Sequence, residues 1–202
     1  MSLVRRTGAL GLLLAPVLVL SVACGGSTGT NNAGFISGDG TVQEIPVAKR
    51  GDPVELSGTT LEGKHLSMAE SRGKVTVINV WGAWCGACVA EAPVLSDVYD
   101  AYSGKVAFVG IDIRDTSTAK PLSFERGNDV SYPSLYDPKG TVLLALSDYS
   151  SPRATPATIV LDKQGRVAAA INGALTSRAT LAGVIEDAGG PTAPSSLTGG
   201  AG

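Results

Sequence analysis

Residues 81–93 read WGAWCGACVAEAP, and the fold turns on what the two cysteines in that stretch, Cys85 and Cys88, are for. A pair spaced by two residues serves as half of a zinc site, a haem anchor, a structural staple or a redox couple. Structural zinc takes four ligands, and beyond this pair the chain offers only His65 and Cys24, so no metal site is expected. Haem attachment needs a histidine directly after the second cysteine; this chain has Val89 there. A disulfide closing so short a loop removes little entropy from the unfolded chain, so stability is a poor reason for it. The redox couple is the reading that remains.

The flanking residues support it. Residues 75–81, VTVINVW, are β-branched and nearly continuously apolar, as in a strand buried on both faces. From Gly86 onward, Val89, Ala92, Leu95, Val98, Tyr99 and Tyr102 recur at helical spacing over 86–102, with Pro93 inside. Cys85 therefore stands where a buried strand gives way to a helix. A helix N-terminus has unpaired N–H groups and a partial positive charge, and both favour a thiolate. Cys88, three residues on, shares a helix face with Cys85. The expected roles follow: Cys85 is the exposed attacking sulfur and Cys88 the shielded one that resolves a mixed disulfide. No external cofactor is implied, because the pair itself carries the electrons.

Working outward, residues 54–56 and 64–66 flank the turn-rich GTTLEGK and read as a hairpin. Residues 106–113, VAFVGIDI, form a second buried strand, and 116–128 a helix with Pro121 near its start. Residues 132–136 are extended and 139–146 form a short helix. Residues 156–161 and 166–171 are strands joined by the turn Asp-Lys-Gln-Gly, and an amphipathic helix over 176–188 closes the domain. A βαβ unit followed by an antiparallel hairpin and a helix gives an α/β sheet covered on both faces.

The ends have another character. Arg5 and Arg6 precede the apolar GALGLLLAPVLVLSVA, which Pro16 interrupts and which ends in small residues at Cys24. This is the form of an export signal over 1–24 rather than a spanning helix. Residues 25–46 are largely Gly, Ser, Thr and Asn and are expected to be a flexible tether, and 189–202, GGPTAPSSLTGGAG, a disordered tail. The globular domain is expected over 47–188. Lysine and arginine total 16 against 18 acidic residues, and no basic run occurs, so nucleic acid is not an expected partner.

WGAWCGACVAEAP resembles the WCxxC segment of thioredoxin-fold proteins, in particular the extracytoplasmic TlpA/ResA/DsbE group, with Glu91 and Pro93 after the second cysteine. The resemblance runs from about 54 to 187 and includes YPSLYDPKG at 132–140 and TPATIVLDKQGR at 155–166. It implies a thioredoxin fold, a central mixed sheet flanked by helices, with an added N-terminal β-hairpin and a central helical insertion. It implies that Pro156 is cis and faces the cysteines, and that the Thr155 backbone pairs with an extended substrate segment. Trp84 would shape docking, and Glu91 and Asp115 would tune the cysteines, although a solvated Asp115 beside Arg114 is an equal reading. Ala87 stands where the group usually has proline. Residues 20–25, LSVACG, resemble a lipoprotein signal, which would leave Cys24 lipid-modified and the protein anchored to the outer face of the membrane; Ser21 departs from the pattern.

The implied activity is thiol–disulfide exchange on exported proteins such as apocytochrome c, with re-reduction by a CcdA- or DsbD-like membrane partner. Three rivals stand beside it: a DsbE-like oxidase, a peroxiredoxin-like peroxidase, and a non-catalytic binding module on the same fold. The peroxidase reading is disfavoured because Ala83-Trp84, not Thr and Pro, precede Cys85.

Overall fold

The computed structural model describes residues 34–37, 40–150 and 155–198. In chain order the strands are β1 (Gly34–Ser37), β2 (Gly40–Glu44), β3 (Ser57–Thr59), β4 (His65–Ser67), β5 (Thr76–Trp81), β6 (Ala107–Ile113), β7 (Ser134–Asp137), β8 (Ala157–Leu161) and β9 (Val167–Asn172). The α-helices are α1 (Gly86–Tyr102), α2 (Ala119–Gly127), α3 (Arg178–Asp187) and the single turn α4 (Ser195–Thr198), and within the stretch expected as a short helix over 139–146 the chain forms a 3-10 turn at Leu143–Leu146. Seven strands form one mixed sheet in the order β1-β2-β9-β8-β5-β6-β7, while β3 and β4 pair separately.

β5 is buried along its whole length, as its unbroken apolar run requires. It pairs parallel with β6 and antiparallel with β8. Its alternate residues feed two cores. Val77 packs on one face with Leu95 and Val98 of α1 and Leu181 and Ile185 of α3. Ile78 and Val80 pack on the other with Ile111, Leu143, Leu146 and Ile159. A third, smaller cluster joins Leu61, Trp81, Cys85 and Cys88 where β5 ends.

The expected hairpin is present as β3–β4, with Thr59 opposite His65. Residues 54–56 lie just outside its ladder, although Val54 and Leu56 are buried. The hairpin covers the edge strand β7: the Leu61 N–H donates to the Ser134 carbonyl at 2.9 Å, and Thr60 bridges Leu135. The turn between β8 and β9 is fixed by Asp162, whose carboxylate accepts from the Gln164 and Arg166 amides and pairs with Arg50 and Arg166.

Both terminal expectations need correction. The stretch expected to be a tether supplies β1 and β2. β2 pairs antiparallel with β9, setting Val42 opposite Ile171, and Val42 enters the core. The cause is non-local: the outer edge of β9 presents unpaired N–H and C=O groups that a further strand satisfies. In the stretch expected to be a disordered tail, α4 packs Leu197 into the core beside α1 and α3, leaving it 6% exposed. Residues 1–33, including Cys24 and the export signal, lie outside the described residues. Among the described residues no helix is long and apolar enough to cross a membrane.

Burial of Leu197 gives the C-terminal segment a measurable share of stability. Leu197→Ala is expected to cost about 2 kcal/mol in urea unfolding, as for a small core truncation. An unchanged midpoint would return the segment to a tail.

Candidate active site

At the end of β5 the chain passes through Gly82, Ala83 and Trp84 and enters α1 directly. Cys85 is the N-cap of that helix, with extended backbone (φ −94°, ψ 108°). The Cys88 N–H donates to Cys85 Sγ at 3.1 Å, so the sulfur satisfies one of the amides that every helix leaves unpaired at its start. Cys85 and Cys88 are joined as a disulfide with Cα atoms 5.3 Å apart. The expectation of an exposed Cys85 is not met in this oxidised form: it is 5% exposed, against 1% for Cys88. Its sulfur is tied to Cys88 and folded over the first turn of α1, among Leu61 and Trp81.

Three contacts from the end of β6 and the loop after it hold the approach to Cys85. The indole N–H of Trp84 donates to the Ile113 carbonyl at 3.0 Å. The Arg114 guanidinium lies 3.8 Å from the centre of the Trp84 ring, a cation–π contact. The Ala83 N–H donates to Asp115 Oδ2 at 2.8 Å. Asp115 is thus turned inward and 6% exposed, not a solvated loop residue. Arg114 makes the turn possible by adopting a left-handed conformation, φ +60°, which sends its own side chain out and that of Asp115 in. Gly82 is required here, because a Cβ at that position would fall on the Trp84 indole nitrogen. Trp84 itself remains 46% exposed beside the pair.

Glu91, one helical turn beyond Cys88, is buried. Its Oε1 accepts from the Asn79 side-chain amide at 2.8 Å and its Oε2 from the Leu175 N–H at 3.0 Å. Burial raises its carboxyl to about 7, and those two hydrogen bonds oppose the rise. The Thr155–Pro156 peptide is cis. Val80 pairs with Ala157, so Pro156 begins β8 at the same end of the sheet from which the chain leaves for Cys85. The Pro156 carbonyl accepts from the Gly173 N–H at 3.0 Å. The structure therefore brings Cys85, Cys88, Trp84, Asp115, Glu91 and Pro156 to one end of the sheet. His65 sits apart and exposed in the β3–β4 hairpin, and Trp81 is core, as expected.

Sequence reasoning missed Asn79, Arg114 and Asp112. Asn79 and Asp112 each carried a signal, a polar residue inside an otherwise apolar strand run.

Residues 43–185 match the Redoxin family. The chain belongs to it. It is 30% identical over 165 residues to the thiol-disulfide oxidoreductase ResA of Bacillus cereus, covering 81% of this chain and 90% of that one. Among solved structures it is similar to a DsbF homologue from Corynebacterium diphtheriae (TM-score 0.66, 32% identity, 72% of this chain and 91% of that one). A secreted thiol-disulfide isomerase from Corynebacterium glutamicum is alike to the same degree (TM-score 0.66, 28% identity, 77% and 96%). With Cys85 and Cys88 bonded at the helix start on this thioredoxin fold, the Redoxin-family chain is a thiol–disulfide oxidoreductase.

The raised carboxyl of Glu91 makes stability depend on pH. Between 4.5 and about 7 the folded chain keeps a proton on Glu91 that the unfolded chain has released. This contribution is therefore complete below pH 4.5 and is lost as pH rises through 7, on the order of 3 kcal/mol. Glu125 is also raised, to about 7, and acts in the same window. Glu91→Gln is expected to reduce the fall in urea midpoint between pH 5 and 8, leaving the shares due to Glu125 and to Asp112, whose carboxyl burial pushes up to about 9. Parallel curves for the two proteins would contradict it.

Proposed function

We propose that this chain is an exported, membrane-anchored disulfide reductase of the TlpA/ResA kind, acting on exported proteins such as apocytochrome c. The observation that carries the direction is the charge set around the pair. Glu91, one helical turn beyond Cys88, and Asp115, bonded to the Ala83 amide two residues before Cys85, are buried carboxyls, and the intervening Gly86-Ala87 brings no positive charge. An oxidant of this class is strong because its reduced thiolate is stabilised. Carboxyls disfavour a thiolate, so here the disulfide is the favoured state and the dithiol gives up its electrons readily.

In the exchange, the Cys85 thiolate attacks one sulfur of a substrate disulfide. A Cys85–substrate disulfide forms, and one substrate thiolate leaves. The Cys88 thiolate then attacks Cys85 Sγ, the mixed bond breaks, and the second substrate thiolate leaves. The substrate gains two electrons and two protons, and Cys85–Cys88 ends oxidised. A transmembrane electron carrier of the CcdA or DsbD kind would re-reduce the pair. Trp84, exposed beside Cys85, offers the docking surface, and the backbone at Thr155 pairs with an extended substrate segment by strand addition. The signal-like residues 1–24 direct export, which the secreted relative from Corynebacterium glutamicum supports, and a lipid on Cys24 keeps the domain at the outer face of the membrane.

The roles of the two sulfurs are separable by trapping. Incubated with an oxidised Cys-x-x-Cys-His peptide, Cys88→Ser is expected to accumulate a mixed disulfide visible by mass spectrometry. Cys85→Ser is expected to give at most about a tenth as much, since the thiol capping α1 is the better nucleophile. Preferential trapping by Cys85→Ser would reverse the roles, and no adduct from either would remove the exchange reaction.

A further inference from the structure

Asp112 is a further buried carboxyl at this end of the sheet, and no step of the exchange described above uses it. It is wholly inaccessible. Glu91, Asp115, Asp137 and Asp162 each accept hydrogen bonds from N–H groups. Neither carboxyl oxygen of Asp112 meets a donor among the described residues. An ionised carboxylate can only accept, so an ionised Asp112 would be a buried, unsatisfied charge, the costliest kind of side chain to keep in a core.

Its place relates it to the cysteines. Asp112 sits opposite Trp81 on β5 and opposite Tyr136 on β7, in one cross-strand row. Trp81 is in the same packing cluster as Cys85 and Cys88, and Tyr136 packs against that cluster. The side chain that acts most strongly on the Asp112 carboxyl is that of Asp115, three residues on. Asp115 Oδ2 accepts from the Ala83 amide at 2.8 Å, two residues before Cys85, and the Asp115 carbonyl accepts from the Tyr136 hydroxyl at 3.1 Å.

We propose that Asp112 is a positioning residue for the exchange reaction: a neutral carboxylic acid whose O–H donates to Asp115 and so fixes the carboxylate that anchors the turn before Cys85. In this form Asp112 is satisfied as a donor, Asp115 accepts from both Asp112 and Ala83, and the two acids share one negative charge. Ionising Asp112 would set two carboxylates against each other and loosen the hold on Ala83. The surroundings favour the neutral form. The charges acting on Asp112 come from Asp115 on the loop after its own strand, Glu125 on α2 and Asp137 on β7, and all are negative. Arg114, the nearest cation in sequence, is exposed and stacked on Trp84. Burial, followed by these carboxyls, lifts Asp112 to about 9. A buried acid kept neutral at pH 7 in order to donate is an established device of active sites.

The inference rests on Cys85 being the attacking thiol, and the test separates the two. In the reduced full-length chain, the rate of iodoacetamide alkylation of Cys85 is followed from pH 6 to 10, with peptide mapping to assign the modified sulfur. The wild type is expected to show two inflections, one from Cys85 and a higher one from the acid pair. Asp112→Asn, which keeps a donor and cannot ionise, is expected to alkylate within twofold of wild type at pH 7 and to lose the upper inflection. A profile superimposable on that of wild type would overturn the role of Asp112. Modification at Cys88 instead would overturn the reading of Cys85 and leave Asp112 to a second measurement, which also serves if Asp112→Asn does not fold. At pH 8, where Glu91 and Glu125 have ionised, the wild-type infrared spectrum is expected to retain the carbonyl band of a protonated carboxylic acid. Its absence would overturn the proposal.

Discussion

The amide of Cys88 pointing at the sulfur of Cys85 is the contact on which the rest of this structure depends. A helix must leave its first amides unpaired, and here a sulfur takes the place that a serine or aspartate oxygen usually fills. That substitution is possible only because β5 delivers the chain to this point. β5 is held on both sides by β6 and β8 and ends at Trp81, so the chain has three residues in which to turn and start α1. The reactive bond is thus anchored to a strand buried along its whole length, while Trp84 beside it stays at the surface.

The polar residues around that contact act against the helix terminus. The start of α1 favours a thiolate, whereas Glu91, Asp115 and Asp112 are buried carboxyls at the same end of the sheet. Each is buried, but their hydrogen bonding differs. Glu91 is held by two donors and Asp115 by the Ala83 amide, while Asp112 has only another acid for company. The balance between a terminus that stabilises charge and acids that oppose it is how one fold can serve as oxidant or reductant. In this chain the dipeptide between the cysteines adds nothing to either side, which leaves the surrounding acids to decide.

Much of this was legible in the sequence because the signals were local. The VTVINVW run, the helical spacing from Gly86 to Tyr102 and the Asp-Lys-Gln-Gly turn each describe an element whose causes lie within it, and all three elements are present. The misses are non-local. Residues 40–44 look like linker by composition, yet they pair because β9 offers an open edge 125 or more residues away in sequence, Glu44 with Ala169. Leu197 is one apolar residue in a Gly- and Pro-rich stretch, and only the groove beside α1 and α3 makes it core. Asp115 had two readings until the left-handed turn at Arg114 directed it inward. Asp112 was visible as a charge within an apolar run, but its partner on the following loop was not.

The central claim is that the acids around Cys85 and Cys88 keep the disulfide the favoured state, so that the chain supplies electrons to its substrates. The most direct measurement is the reduction potential of the pair, by equilibration with glutathione and readout from tryptophan fluorescence. The account predicts a value close to that of thioredoxin, roughly −270 mV; a value near about −120 mV, that of a strong oxidant, would contradict it.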